Sequence, residues 1–185
     1  MKENEKPVTL KIATLGGGCF WCMEAVFSQL RGIKKIDSGY SGGSIMNPTY
    51  EQVSTGQTGH AEVVQLLYDS DVISYNEILK IFFVTHDPTT LNRQGADVGS
   101  QYRSVIFYHN EEQKKIAEQI INEFNFKNFF DSTIVTKIEP FKAFYTAEEY
   151  HKNYFQKHPE QPYCRIVISP KVAKLRKKFG AKLKT

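Results

Sequence analysis

The chain has 185 residues, enough for one domain that buries about two thirds of the surface its unfolded form exposes. Hydrophobic content of 41% and charged content of 24%, with 10 Tyr and 13 Phe, exclude disorder over most of the length. The formal charge of +4 gathers where Lys171, Lys174, Arg176, Lys177, Lys178, Lys182 and Lys184 crowd one stretch, and three cysteines are too few for a secreted disulfide framework.

The opening MKENEKPVTLKIATL mixes charge into a short apolar run without a long apolar centre or small-residue cleavage site. It predicts neither export nor a membrane span, hence a cytoplasmic protein. Val8 to Leu15 alternates as a strand, Gly16-Gly17-Gly18 should break it, and the periodic run Cys19 to Leu30 predicts a helix ending before Gly32. Ile33 to Tyr40 reads as a second strand, Ser41 to Gly59 as a long polar loop, and Ala61 to Tyr68 as a third strand. Ser74 and Glu77 form a capping box before a helix over Ile78 to His86, which Asp87-Pro88 stops, and Pro88 to Gln101 is a second loop. Arg103 to Tyr108 predicts a strand, Asn110 with Gln113 opens a helix towards Phe126, and Thr133 to Ile138 predicts another strand. Thr146 with Glu149 should cap a further helix, and the β-branched run Arg165 to Ser169 reads as a last strand. Several connections are too short for helical crossovers, so the expected class is α+β, a two-layer sandwich with a mixed, largely antiparallel sheet and flanking helices. Residues 1–170 are expected to form the domain and 171–185 a basic tail.

The chemistry concentrates at Cys19-Phe20-Trp21-Cys22. Cys19 follows three glycines and opens a helix, whose free N–H groups and dipole favour an anion, so a thiolate with a lowered pKa is expected there rather than an inert buried thiol. A thioredoxin-like redox pair, a zinc site and a thiol-dependent reductase would all use this feature. Zinc is the weakest: Cys164 stands alone, and His60, His86, His109, His151 and His158 lack paired ligand spacing and read as hydrogen-bonding residues of the surface or loops.

Gly17-Gly18-Cys19-Phe20-Trp21-Cys22 and Gly39-Tyr40-Ser41-Gly42-Gly43 closely resemble A-type peptide methionine sulfoxide reductases. Pro48-Thr49-Tyr50, Gly59-His60-Ala61-Glu62, His86-Asp87-Pro88-Thr89-Thr90, Asp97 to Ser104 and Ile106-Phe107-Tyr108 are similar to that family's blocks in its order, so the resemblance runs from about Lys11 to Ser169. It implies reduction of the S epimer of methionine sulfoxide, free or in proteins, as a repair of oxidised chains. It further implies that Cys19 attacks the sulfoxide sulfur, that Glu62 gives a proton to the oxygen, and that the hydroxyls of Tyr50 and Tyr102 bind that oxygen. By the same resemblance Phe20 and Trp21 wall the methyl group, and Asp97 helps hold the substrate backbone or the pocket. Glu62 must then be neutral, which burial would secure against the competing reading of a Glu on a solvated strand face.

Loss of oxygen to Cys19 should leave a sulfenic acid, which a second thiol removes. Cys164, in Gln161-Pro162-Tyr163-Cys164, resembles the family's resolving position, although Arg165-Ile166-Val167-Ile168 replaces the glycine-rich segment often found there. Cys22, one helical turn from Cys19, is the alternative. Thioredoxin is the implied reductant by thiol exchange, and no bound cofactor is expected. Two rival classes stay open from the residues alone: a general disulfide oxidoreductase, and a nucleic-acid-binding module using the basic tail, for which a solvated amphipathic helix is the simpler reading.

Overall fold

The computed structural model describes residues 8–185; residues 1–7, the start of the expected domain and of the opening stretch that predicts no export signal, lie outside the described residues. β1 (Leu10–Gly17) is exposed at its first three residues and buried from Ala13 onward. It runs through two of the three glycines instead of breaking at them, because Gly16 and Gly17 pair with Val105 and Ser104 of the neighbouring strand. A Cβ on Gly16 would stand 2.9 Å from Val105 Cγ1 and 3.0 Å from the Glu62 carbonyl, so glycine there serves close strand approach. The chain turns only at Gly18, with φ +94°.

The turn delivers α1 (Phe20–Phe27), shorter than the periodicity predicted, with Cys19 as the extended N-cap residue. β2 (Ile33–Ser41) follows, and α2 (Tyr50–Ser54) interrupts the expected loop, nucleated by a reciprocal capping box between Thr49 and Gln52. β3 (Ala61–Asp69) pairs antiparallel with both β1 and β2. Strand alternation sends Val64, Leu66 and Tyr68 into the main core, and places Glu62 on that same face, while Ala61 and Val63 join a small cluster on the other face with Val105 and Phe107. α3 (Tyr75–Thr85) carries the Ser74–Glu77 capping box as predicted. Its Ile78, Phe82 and Phe83 are fully buried, and each such side chain contributes about 1.5–3 kcal/mol by leaving water.

The second loop folds a small hairpin, β4 (Arg93–Gln94) and β5 (Asp97–Val98), before β6 (Ser104–Tyr108) and α4 (Glu111–Phe126), whose N-cap Asn110 accepts from Gln113 N–H at 2.9 Å. β7 (Lys137–Pro140) lies parallel to β6. The strand predicted from Thr133 starts later because Ile134 N–H and Val135 N–H donate to Asn125 Oδ1 and the Pro88 carbonyl instead of a sheet partner. β8 (Tyr145–Thr146) completes the order β7-β6-β1-β3-β2-β8, antiparallel at every pairing except β6–β7. The mixed, largely antiparallel sheet with helices is the expected class.

Two C-terminal expectations are corrected. Thr146 caps no helix, because it pairs with Gly39 in the sheet; Glu149–His151 forms a single 3-10 turn, and α5 (Tyr154–Lys157) begins only after the left-handed Asn153. The run Arg165 to Ser169 is not a strand. Cys164–Ile168 is a wide helical turn that continues into α6 (Ser169–Phe179). Cys164 and Ile168, four apart, are the two buried residues of that turn, so packing on one helical face overrides the β preference of the branched side chains. α6 buries Val172 and Leu175 against the domain and exposes Lys174, Arg176, Lys177 and Lys178 while Lys171 is half-buried, and Leu183 makes a bridge to Leu30. Among the described residues no helix is long and apolar enough to cross a membrane.

Candidate active site

The end of β1 and the start of α1 place Cys19 beside Glu62, at the start of β3. Phe20 N–H, one of the free amides of the first helical turn, donates to Glu62 Oε2 at 3.0 Å. The amide expected to favour a Cys19 thiolate therefore serves the carboxyl group, and the thiol itself is buried. Burial pushes the Cys19 thiol well above its ordinary value, aided by its hydrogen bond to Cys22 and the nearness of Glu62, and outweighs the Trp21 amide. The expectation of a thiolate on Cys19 in the resting protein is corrected. Cys22 is held down to about 7 instead, first by the hydrogen bond from Cys19, against the cost of burial, with Lys171 and Tyr163 assisting. Of the two, Cys22 is the thiol that ionises more readily.

Glu62 is buried, and burial raises its carboxyl to about 8 despite the Phe20 amide, with Asp97 and Cys22 adding to the rise. The acid is therefore neutral at pH 7. Tyr40 lies directly across from it in the β2–β3 register and is fully buried, its hydroxyl donating to Glu148 Oε1 at 3.4 Å. Tyr50, from α2, and Tyr102, from the 3-10 turn Ser100–Tyr102, both approach Glu62 and Cys19 closely enough for their charges to raise each phenol beyond the effect of burial. Both hydroxyls stay protonated, and so remain donors, at neutral pH.

The aromatic side of the site is richer than the sequence suggested. Trp21 stacks on Tyr154 with centroids 3.7 Å apart and planes 5° apart, and meets Tyr163 edge-on at 5.9 Å. Trp21 Nε1–H donates to His151 Nδ1 at 3.1 Å, which puts the imidazole proton on Nε2, 3.5 Å from Glu148 Oε2. His151 is packed between Phe20 at 5.0 Å, Tyr50 at 4.5 Å and Tyr150 at 4.0 Å between ring centroids. Burial lowers its pKa and keeps it neutral. Below it, buried Glu24 of α1 accepts from Asn153 N–H at 2.9 Å and pins the turn that carries Tyr154. Burial raises the pKa of that carboxyl.

Asp97 stands at this same site: Tyr163 O–H donates to its Oδ2 at 2.6 Å, and the Tyr163 oxygen is 3.8 Å from Cys22 Sγ. Cys164, the next residue, is fully buried in the helical turn behind Cys22, its pKa raised by burial and then by Cys22. All three cysteines are free thiols.

The structure thus brings together Cys19, Phe20, Trp21, Cys22, Tyr50, Glu62, Asp97, Tyr102 and, behind them, Cys164. Sequence reasoning missed His151, Tyr154, Tyr163 and Glu24. Of the five histidines read as surface or loop residues, His60, His86 and His151 are buried. Their partners explain it: His60 Nδ1 accepts from Gly43 N–H at 3.0 Å, and the His86 ring is held between the Phe82 carbonyl and Ser104 Oγ. The signal available for the missed set was the aromatic spacing of Tyr150, His151 and Tyr154, which the presumed capping box obscured.

A buried cysteine pair opening a helix, with a protonated carboxyl group and phenols converging on it, defines a thiol-based oxidoreductase whose substrate accepts a proton as it is reduced. Comparison with known proteins narrows that class. The family model described as peptide methionine sulfoxide reductase matches residues 11–183. A peptide methionine sulfoxide reductase MsrA of Saccharolobus solfataricus is 58% identical over 175 residues, which is 95% of this chain and 98% of that protein. The crystal structure of reduced Mxr1 from Saccharomyces cerevisiae superposes with a TM-score of 0.78 at 38% identity, over 86% of this chain and 91% of that one. Mxr1 in complex with Trx2 matches with a TM-score of 0.54 at 27% identity, over 82% and 91% of the two chains. The chain belongs to the peptide methionine sulfoxide reductase family.

Proposed function

We propose that this chain reduces the S epimer of methionine sulfoxide, free or in oxidised proteins, with Cys19 as nucleophile and Glu62 as general acid. One observation carries the reading: a carboxyl group protonated at pH 7 is fixed, through the Phe20 amide, beside the buried Cys19 thiol.

Substrate enters with its methyl group against Phe20 and Trp21, where flat apolar rings suit a polarisable sulfur. Tyr50 and Tyr102 donate to the sulfoxide oxygen, and their preorganised hydroxyls meet the negative charge that grows there. Cys19 attacks the sulfur as its proton passes to the Cys22 thiolate with which it is hydrogen-bonded. Glu62 transfers its proton to the oxygen; the substrate S–O bond then breaks as the hydroxyl passes to the Cys19 sulfur, the bond between the two sulfurs formed by the attack breaks, and methionine leaves with its sulfur reduced and the Cys19 sulfur oxidised to a sulfenic acid. Raised Cys19 basicity is no obstacle, because the base is already in contact and a more basic thiolate is the stronger nucleophile. Asp97 borders the pocket and helps to hold its wall through Tyr163.

Cys22 resolves the sulfenic acid. It shares the first turn of α1 with Cys19, its N–H bonded to the Cys19 carbonyl at 3.1 Å, whereas Cys164 is buried within a helical turn that must unwind before its sulfur can travel. Thioredoxin then reduces the disulfide by exchange, a reading the Mxr1–Trx2 complex supports. A thiol pair that must return to the reduced state each cycle, beside a third free thiol, suits the cytoplasm. The test is turnover of methionine S-sulfoxide with thioredoxin: loss in Cys19→Ser and in Glu62→Gln is expected, and full turnover in Glu62→Gln would refute the assignment of the acid.

A further inference from the structure

Resolution leaves a proton to be placed. If Cys22 accepts the Cys19 proton during the first step, as the reading above has it, Cys22 is a neutral thiol when the sulfenic acid appears, and must lose that proton to attack. Its surroundings are closed. Cys22 is 2% exposed and lies within the buried body of α1, so bulk water is not at hand to take the proton.

One group touches the sulfur and leads away from Cys19. The Tyr163 hydroxyl lies 3.8 Å from Cys22 Sγ, within hydrogen-bonding range for sulfur, and donates its own proton to Asp97 Oδ2 at 2.6 Å. Once Cys22 is a neutral thiol it no longer draws the phenol proton, which stays on the bond to Asp97, and the phenol oxygen presents lone pairs to the Cys22 S–H. A thiol, a phenol and a carboxylate stand in a row with every donor facing an acceptor. Asp97 is half-buried on the small hairpin, so the row begins in the core and ends where solvent can reach it.

We infer that Tyr163 and Asp97 form the proton exit of Cys22, so that Tyr163 is a catalytic residue of disulfide formation; the inference rests on Cys22 being the resolving thiol. As the Cys22 sulfur attacks the Cys19 sulfur, its S–H proton passes to the Tyr163 oxygen and the Tyr163 proton passes to Asp97. The S–S bond forms and the S–O bond breaks; the sulfenic sulfur is reduced and the Cys22 sulfur oxidised. Glu62, reprotonated from solvent after methionine leaves, gives its proton to the departing hydroxyl, which leaves as water. Asp97 returns its proton to solvent, and the net reaction is thiol plus sulfenic acid to disulfide plus water. The other groups facing Cys22 do not serve: Cys19 carries the leaving hydroxyl, Glu62 must donate, Lys171 is a cation that favours the thiolate without accepting a proton, and Cys164 is a buried thiol.

The experiment is a single turnover of the full chain with methionine S-sulfoxide and no reductant. Quenched samples are assayed for methionine, for sulfenic acid trapped with dimedone, and for disulfide by peptide mapping. Tyr163→Phe keeps the ring against Trp21 and removes only the hydroxyl; Asp97→Asn keeps the shape and removes the base. In each variant the sulfenic acid should outlive methionine release by roughly a hundredfold more than in the unaltered protein, the scale of a lost general base. The double variant should be no slower than either, and the resolution rate of Tyr163→Phe should climb with pH, because the proton must then leave to hydroxide. A sulfenic-acid lifetime unchanged in Tyr163→Phe, or flat with pH, would overturn the relay. A Cys19–Cys164 link in the unaltered protein would overturn the resolving role of Cys22 instead, so the two failures are distinct.

Discussion

Glu62 and Phe20 are joined by a backbone-to-carboxyl hydrogen bond of 3.0 Å across the boundary between β3 and α1. The bond fixes the acid on the residue that follows the nucleophile, so the position of one sets the position of the other. Helix-terminus amides usually stabilise a carboxylate; here burial wins, and the group stays protonated to about pH 8.

Turnover should accordingly fall as pH rises through about 8, with Glu62 the group responsible. Glu62→Gln should lose roughly a hundredfold or more in kcat/KM, the usual scale for a missing general acid. A pH profile of single-turnover methionine formation checks this. A fall at high pH that persists in the residual activity of Glu62→Gln would assign it to another group.

The same burial predicts a stability effect that runs in the same direction with pH. A carboxyl group whose value in the fold is about 8 binds its proton more tightly folded than unfolded, so stability is lost as pH rises from the ordinary carboxylate range through 8. Thermal melting of the unaltered protein should fall between pH 6 and pH 9, and Glu62→Gln should fall less over that window. Equal slopes for the two proteins would show that Glu62 is charged at no stability cost.

His151 accepts the Trp21 indole N–H at 3.1 Å, and nothing else in the site orients that ring by a hydrogen bond. His151→Phe should keep the packing and free the indole, removing the partner of a half-buried donor at a cost of about 1 kcal/mol. KM for the sulfoxide should rise by about tenfold, with a smaller effect on kcat. Steady-state kinetics separates the two, and an unchanged KM would remove Trp21 orientation from the account.

Gly18 adopts φ +94°, and a Cβ there would stand 2.6 Å from Gln94 Cγ, in the hairpin whose other strand carries Asp97. Gly18→Ala should destabilise the fold by more than about 1 kcal/mol and displace Cys19 as well. Chemical denaturation measures the first, and the rate of Cys19 alkylation the second.

The central strands, the capped helix after Ser74 and the cysteine turn were legible because each depends on neighbours close in sequence. Alternation marked Ala61 to Tyr68, and it also decides the face of Glu62, although strand pattern alone suggested a solvated Glu. What misled were signals that tertiary pairing overrides: Thr146 joined the sheet instead of capping a helix, and Arg165 to Ile168 coiled because Cys164 and Ile168 needed one buried face. The Cys19 thiolate was inferred from the helix terminus without knowing that Glu62 takes its first amide. His151, Tyr154 and Tyr163 reach Trp21 from well over a hundred residues away, a relation that no local pattern contains.

The most direct test of the account uses the Cys22→Ser Cys164→Ser double variant, which keeps Cys19 and removes every thiol that could resolve it; loss of the Cys22 base slows the first step without changing its stoichiometry, so the reaction is followed to completion. Reduced protein is given excess methionine S-sulfoxide with no reductant, and the product is treated with dimedone and mapped by mass spectrometry. The account predicts one methionine released per chain and a dimedone adduct on the peptide carrying Cys19. No methionine, or methionine without an adduct on Cys19, would contradict it.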